Sequence, residues 1–352
     1  MEPRELLSMT PTELADFFAS LGEPTYRAAQ VFPLLHRGVA PSEMTNLPKP
    51  LREKLTACAV WHLPEVRKKL VSAIDGTVKY LFALSDGNCV ESVVMKYEHG
   101  NTICISSQVG CRMGCKFCAS TIGGRVRNLT AGELLGQVIA AGKDTGERIS
   151  NIVLMGIGEP LDNYENVLKF LHLVNDPAGL NIGYRHISLS TCGLVDGINR
   201  LRAENLPITL SISLHAPDDE TRSAIMPVNR RWGIDELLSA CRVYFSATGR
   251  RISFEYTLIA GKNDSPAAAE KLARVLNSHL RSARDTMPIH VNLIPVNEVA
   301  ETGFRHGDRA SVKRFASVLE SKGIRATIRR TLGADINASC GQLRRQEKQT
   351  QA

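Results

Sequence analysis

From residue 100 onward, strand-like and helix-like runs take turns along the chain. The strand-like runs are Thr102–Ser106, Asn151–Met155, His186–Ser190, Thr209–Ser213, Ile252–Leu258, Ile289–Ile294 and Arg325–Arg330. Between them lie runs with apolar residues at helical spacing: Thr130–Ala141, Tyr164–Val174, Val195–Ala203, Ile234–Phe245, Ala267–Leu276 and Ala310–Lys322. Thr130 and Glu133 stand at capping-box spacing, which marks a helix start. This order predicts right-handed βαβ units around a parallel sheet. The expected fold class is α/β, a partial (β/α)6 barrel over residues 99–343.

The first 64 residues read differently. Thr12–Phe18 and Arg27–Leu35 have helical spacing, punctuated by Pro24, Pro41, Pro48 and Pro50. An N-terminal helical accessory domain over 1–64 is expected. The turn from Gly22 to Arg27 starts a helix beside basic side chains and offers a contact to a phosphate backbone. A plain helical cap on the main domain explains it equally well. Residues 65–98 hold three β-like runs, Lys69–Val71, Thr77–Leu84 and Val90–Met95, separated by Asp75-Gly76 and Asp86-Gly87-Asn88. They predict a small antiparallel sheet bridging the two domains. Residues 344–352 read as a flexible tail.

Composition narrows the class. Of 352 residues, 43% are hydrophobic and 22% charged, which is ordinary globular material. No apolar run reaches membrane-spanning length, and the N-terminal stretch has no apolar signal core. Nine cysteines, three of them clustered, suit a reducing cytoplasm better than a disulfide framework. A formal charge of +7 permits a nucleic-acid partner without requiring one.

The unusual residues gather at the C-terminal ends of the expected strands, where barrel enzymes place their chemistry. Cys111, Cys115 and Cys118 follow the first strand in C-x3-C-x2-C spacing. Three thiolates without a fourth leave one coordination position open. That count fits a [4Fe–4S] cluster whose free iron binds the amine and carboxylate of S-adenosylmethionine (SAM). Zinc in a closed structural site is the competing reading and wants four ligands. Gly158 lets the backbone approach a ligand, and Glu159 offers a carboxylate to the SAM ammonium. Ser190, Ser213, His215 and Asn297 also sit at strand ends. Each alone reads as a satisfied structural polar group; their shared position points to a ligand. Cys58, Cys89 and Cys241 read as inert packing, and Cys192 as packing beside SAM. Cys340, in a polar loop near a glycine, is the better nucleophile candidate.

Here the chain resembles a known family. Val90-Glu91-Ser92-Val93, Ile103-Cys104-Ile105-Ser106-Ser107-Gln108-Val109-Gly110-Cys111, Gly158-Glu159-Pro160-Leu161, Ser213-Leu214-His215-Ala216-Pro217, Asn292-Leu293-Ile294-Pro295 and Ala338-Ser339-Cys340-Gly341-Gln342-Leu343 are similar to stretches of the RlmN-type radical SAM RNA methyltransferases. Ile157 departs from the methionine common there, an apolar exchange. The resemblance implies methylation at C2 of an adenosine in the peptidyl transferase centre of 23S rRNA and of an adenosine beside the tRNA anticodon. It implies that Cys111, Cys115 and Cys118 hold the cluster. Gly158, Glu159, Ser190, Ser213, Leu214, His215 and Asn297 would then contact SAM. Cys340 would carry the methyl group, Cys104 would resolve the protein–RNA adduct, and Glu91 would accept the C2 proton. One SAM would methylate Cys340. A second would be split to an adenosyl radical that takes a hydrogen from the S-methyl group. An external electron donor, a monomer and a cytoplasmic location complete the expectation. The basic pairs Arg230-Arg231, Arg250-Arg251 and Arg329-Arg330 are candidate guides for the RNA backbone. A sibling C8 methyltransferase and a non-catalytic metal-containing RNA-binding protein remain the alternatives; Pro160 leans toward the C2 enzymes.

Overall fold

The inner strands place apolar and polar residues on alternate faces, so each strand presents one face to helices and the other to a cavity. The computed structural model describes residues 4–281, 287–297, 302–338 and 343. Helices α1 (Pro11–Ser20), α2 (Arg27–His36) and α3 (Lys49–Cys58) form the N-terminal part. Two short strands, β1 (Arg4–Glu5) and β2 (Ala59–Val60), pair in parallel and close it. This part rests on the barrel's outer helices. Gly132 N donates to Ser8 Oγ at 2.7 Å and Lys169 pairs with Glu13 at 2.7 Å. Its Leu14, Phe18, Val31 and Leu55 belong to the same apolar core as the barrel.

Strands β3 (Glu65–Val71), β4 (Val78–Ala83) and β5 (Cys89–Met95) pair antiparallel, as the turn signals require. They form no separate bridging sheet. β5 also pairs antiparallel with β6 (Asn101–Cys104), so all three extend the main sheet. After β6 a hairpin of β7 (Gln108–Gly110) and β8 (Arg125–Asn128) leaves the sheet. The βα series follows: α4 (Ala131–Thr145), β9 (Ile149–Leu154), α5 (Tyr164–Asn175), β10 (Ile187–Thr191), α6 (Val195–Ala203) and β11 (Thr209–Ser213). It continues with α7 (Asp219–Ile225), α8 (Ile234–Thr248), β12 (Ile252–Leu258), α9 (Pro266–Leu280), β13 (His290–Pro295), α10 (Arg309–Ser321) and β14 (Arg325–Ile328).

The ten-stranded sheet runs β14-β13-β12-β11-β10-β9-β6-β5-β4-β3, with every neighbouring pair from β6 to β14 parallel. Six βα units and a closing strand make the expected partial barrel. The short helix α7 and the β7–β8 hairpin have no counterpart among the expected elements. Register assigns the faces. Ser190, Ser211 and Ser253 lie side by side, as do Ser213, Glu255 and Asn292. The same strands turn Leu189, Leu210, Ile212, Phe254 and Leu293 into the core under the helices.

The Thr130–Glu133 box is formed. Thr130 Oγ1 accepts from Glu133 N at 3.1 Å, and Thr130 N donates to Glu133 Oε2 at 3.0 Å. Thr130→Ala should therefore lower unfolding free energy by about 1 kcal/mol, read from the urea midpoint with an unchanged slope.

Candidate active site

The cysteine loop hangs from the β7–β8 hairpin. Cys111 N donates to Gly124 O at 3.2 Å, and Lys116 N donates to Ile225 O at 2.9 Å, which docks the loop on α7. Thr121 Oγ1 donates to the carbonyls of Cys115 and Cys118, at 3.1 and 2.9 Å. Arg112 is held by Asp162, which Arg125 also pairs with at 2.9 Å. Cys111 and Cys115 are buried and Cys118 is half-buried. Burial pushes the Cys111 thiol up to about 12 and the Cys115 thiol higher still, and the Cys118 and Cys111 thiols add to the rise at Cys115. All three thiols line one cavity, and the two buried ones, Cys111 and Cys115, would ionise more readily beside a strongly positive ligand. Among the described residues no three His, Cys, Asp or Glu side chains converge as one metal ion would need. A [4Fe–4S] cube takes each thiolate at a different iron and makes no such demand.

Opposite the loop lies a cavity of ≈ 230 Å³ lined by all three cysteines, Gly158, Glu159, Ser190, Ser213, His215 and Asn297. Gly158 has φ 112°, and a Cβ there would sit 2.6 Å from Ser107 Oγ and 2.8 Å from Gln108 N. The buried Glu159 carboxylate is fixed by two backbone donors, Leu161 N at 3.0 Å and Cys192 N at 2.7 Å. Its pKa is nonetheless raised by burial, which those donors offset in part. A ligand ammonium here would meet an oriented acceptor in a low-dielectric pocket, where its charge counts most. His215 Nδ1 accepts from Thr257 N at 2.9 Å, leaving Nε2 to carry the proton. Burial, helped by Arg222, depresses its pKa to about 3, so the ring is neutral. Leu214 is different: its side chain packs in the core and does not line the cavity.

A second chamber of ≈ 140 Å³ adjoins the first and shares Met155, Gly156, Ile294, Asn297 and Arg329 with it. Glu91 and Cys104 line it. Val93 pairs with Cys104 across β5 and β6, which puts Glu91, two residues away, on the same face. Burial raises the Cys104 thiol pKa, and the Arg329 guanidinium partly offsets this. Cys340 lies outside the described residues, as does the expected tail; Ala338, two residues before Cys340, lines the second chamber. Cys241 is buried as expected, but Cys58 and Cys89 are only half-buried. Arg329 and Arg330 reach the chamber. Arg231 instead pairs with Asp196 at 3.1 Å, and Arg250 donates to Ile208 O at 3.5 Å.

Residues 105–273 match the model of the radical SAM superfamily, and residues 4–60 match that of the ribosomal RNA large subunit methyltransferase N-terminal domain. The "Probable dual-specificity RNA methyltransferase RlmN" of Alkaliphilus oremlandii is 52% identical over 350 residues, covering 99% of this chain and all of that protein. This chain belongs to the RlmN family of radical SAM RNA methyltransferases. The protein of the same description from Clostridium acetobutylicum is 53% identical over 341 residues, 97% of this chain and 96% of that one. The crystal structure of a radical SAM methyltransferase from Sphaerobacter thermophilus superposes with a TM-score of 0.90 at 42% identity, covering 97% of this chain and 99% of that one. Membership brings a [4Fe–4S] cluster and SAM as cofactors, and the thiol loop and polar cavity fit both.

The RlmN-type site also depends on residues that the sequence did not single out. Arg222, on α7, is fully buried. Its guanidinium donates to Leu214 O (3.0 Å), Cys192 O (2.7 Å), Ser213 O (3.2 Å) and Asn229 Oδ1 (2.8 Å). It ties the ends of β10 and β11 together behind the cysteine loop. Ser106 Oγ donates to Glu91 O at 2.6 Å and accepts from Ile157 N at 3.1 Å, joining the second chamber to the glycine turn. Gln108 takes the Glu159 N–H on Oε1 at 2.9 Å and donates through Nε2 to Asp162 at 2.8 Å. A basic residue in a short polar helix reads as surface, so nothing in one sequence marked Arg222.

Gly158→Ala should cost about 1–3 kcal/mol of stability and abolish SAM binding in equilibrium dialysis, because the strand end must shift. A second expectation concerns pH. His36, His215 and His290 are depressed to about 4, 3 and 4, each chiefly by burial. Unfolded, they titrate near 6.5, so between 6.5 and 4 the unfolded chain binds more protons. Their stabilisation is complete above pH 6.5 and is lost as pH falls toward 4. Their imidazole proton resonances should keep neutral-form shifts down to pH 5 while the urea midpoint declines; a native titration near 6.5 would contradict the burial.

Proposed function

We propose that this RNA methyltransferase acts at C2 of adenosine in 23S rRNA and tRNA, with Cys340 as methyl carrier. The observation that carries the reading is the pair of joined chambers. One holds the three thiols and the polar strand ends; the other holds Glu91 and Cys104 beneath the stem of the Cys340 loop. Cys111, Cys115 and Cys118 would hold the cluster, with SAM seated beside it. Gly158, Glu159, Ser190, Ser213, His215 and Asn297 seat SAM, and Leu214 contributes through its backbone. When bound, the cluster supplies the single electron that cleaves SAM.

The other steps belong to the chain's own residues. Adenine C2 is electron-poor and has no lone pair for ordinary methyl transfer, so the carrier brings carbon to it as a radical. A hydrogen atom leaves the Cys340 S-methyl group for the adenosyl radical, and the resulting carbon radical adds to C2. The adduct then gives up one electron, which would return to the oxidised cluster, and Glu91 accepts the C2 proton. The Cys104 thiolate then attacks the sulfur of Cys340, the sulfur–carbon bond breaks, and the freed carbon takes a proton. The resulting disulfide needs outside reductant, which suits the cytoplasm. Arg329 favours the attacking thiolate. The base must leave its stack to enter, as it does most easily from loop RNA. The chain works as a monomer with an external electron donor.

The test is anaerobic reconstitution with iron and sulfide, followed by SAM, reductant and a ribosomal RNA fragment. Expected products are 5′-deoxyadenosine and 2-methyladenosine; 8-methyladenosine would overturn the regiochemistry. Cys115→Ala should lose the brown chromophore and all turnover. Cys104→Ala should keep the cluster and the S-methyl group on Cys340 but accumulate a protein–RNA adduct that survives denaturing electrophoresis. Normal turnover without an adduct would remove Cys104 from the mechanism.

A further inference from the structure

Lys79 is the second residue of β4 and is 1% exposed. A buried lysine needs a partner, because an isolated ammonium pays a large desolvation cost. Its Nζ is 3.1 Å from Glu91 Oε2 and donates to Asn337 O at 3.0 Å. Register explains the first contact. Lys79 pairs with Val93 across β4 and β5, and Val93 pairs with Cys104 across β5 and β6. Lys79, Glu91 and Cys104 therefore share one face of the sheet, with Lys79 and Glu91 diagonal neighbours.

The second contact belongs to a larger docking. The turn between β3 and β4 grips the segment that leads from β14 to Cys340. Ser72 Oγ donates to Asp335 Oδ1 at 2.7 Å, Ala73 N donates to Asp335 Oδ2 at 2.8 Å, and Gly333 N donates to Asp75 Oδ2 at 2.8 Å. The Gly333 N–H is the chief reason that the Asp75 carboxyl is held down at about 2. The stem is thus fixed through the Asp75 carboxylate of the turn and through its own Asp335 carboxylate, and among the anchors described Lys79 also touches a proposed reacting group.

We propose that Lys79 is a positioning residue for methyl transfer: its ammonium registers the Glu91 carboxylate against the stem of the Cys340 loop. This rests on the reading of Glu91 as proton acceptor and Cys340 as carrier. A buried ion pair adds little to stability, and well-packed apolar residues often serve as well. At the wall of a reaction chamber it does something an apolar pair cannot. The ammonium gives the Glu91 carboxylate a fixed cationic partner 3.1 Å away as the reaction begins. In the proposed reaction Lys79 only positions, and Glu91 is the group that gains a proton. Among the described residues, the other charged or titratable groups that line the chamber with Glu91 are Tyr97, Cys104 on β6, and Arg329 and Arg330 beyond β14.

The test compares Lys79→Met, Lys79→Arg, Glu91→Gln and the double variant Lys79→Met/Glu91→Gln in the reconstituted full-length enzyme. Two quantities are read: the single-turnover rate of methyl transfer to a ribosomal RNA fragment across pH, and hydrogen exchange of residues 331–338. Lys79→Met should slow transfer at neutral pH by about tenfold or more and move the acid limb of the profile up by about one unit or more. Lys79→Arg should restore both in large part. Exchange in 331–338 should rise in Lys79→Met and in the double variant but not in Glu91→Gln. The double variant carries no unpaired buried charge, so it reports on the stem even if the single variant folds poorly. An unchanged pH profile in Lys79→Met, or unchanged stem exchange in the double variant, overturns the proposal. If Glu91→Gln itself transfers methyl normally, the assignment of Glu91 fails instead. A dead Glu91→Gln beside a normal Lys79→Met would sink the Lys79 proposal alone.

Discussion

The two-residue period of the strands is the constraint from which the site follows. Sheets of parallel strands are usually apolar on both faces, because helices cover both. Here helices cover only one. Ser190, Ser213, Glu255 and Asn292 occupy the uncovered face, and each strand's alternate residues enter the core. Glu255 shows how such a face is kept affordable. Ser253 Oγ and Asn292 Nδ2 donate to its two oxygens at 3.0 and 2.7 Å. A shift of one residue in any strand would send these groups into the apolar layer and empty the cavity of its donors and acceptors.

The same economy governs charge behind the cysteine loop. Arg222 meets carbonyls and an amide there. Four neutral acceptors spread its charge while leaving it net positive near the Cys115 thiol, one of the three proposed to hold the cluster. Thiolates gathered around a cluster carry excess negative charge, and a fixed buried cation is a natural counterweight. Asn229 completes the arrangement by donating to Asp219 and Ser223 while accepting from Arg222, so the short helix α7 is held by its own polar network.

Much of this was legible in the residues. The strand runs at Thr209–Ser213 and Ile252–Leu258 coincide with β11 and β12, because β-branched alternation leaves little doubt about type or length. The thiol spacing and the Gly158-Glu159 turn pointed to one cavity, and the structure brings them together. What stayed hidden was hidden for physical reasons. Lys79 sits in Val78-Lys79-Tyr80-Leu81, where a lone lysine reads as the solvent side of an edge strand; only the register shows that it faces Glu91. The antiparallel strands looked like a separate unit because their turns are local, whereas the β5–β6 pairing that merges them with the barrel appears only in three dimensions. Leu214 was carried over with its motif, but its side chain obeys the strand period and goes to the core.

The grip of the β3–β4 turn on residues 333–337 also gives the incomplete barrel a seam. Among the described residues, β14 and β3 are the two edges of the sheet, and they share no ladder of backbone hydrogen bonds. The strap from β14 to the β3–β4 turn spans that gap with a handful of polar contacts, each worth about 1 kcal/mol net, where a full strand pairing would be far stronger. Along that line the sheet is therefore held by fewer and weaker bonds than between any two paired strands. A nucleotide too bulky for the chambers as they stand would find its least costly way in there, and whatever parts the seam also displaces the stem of the loop behind it.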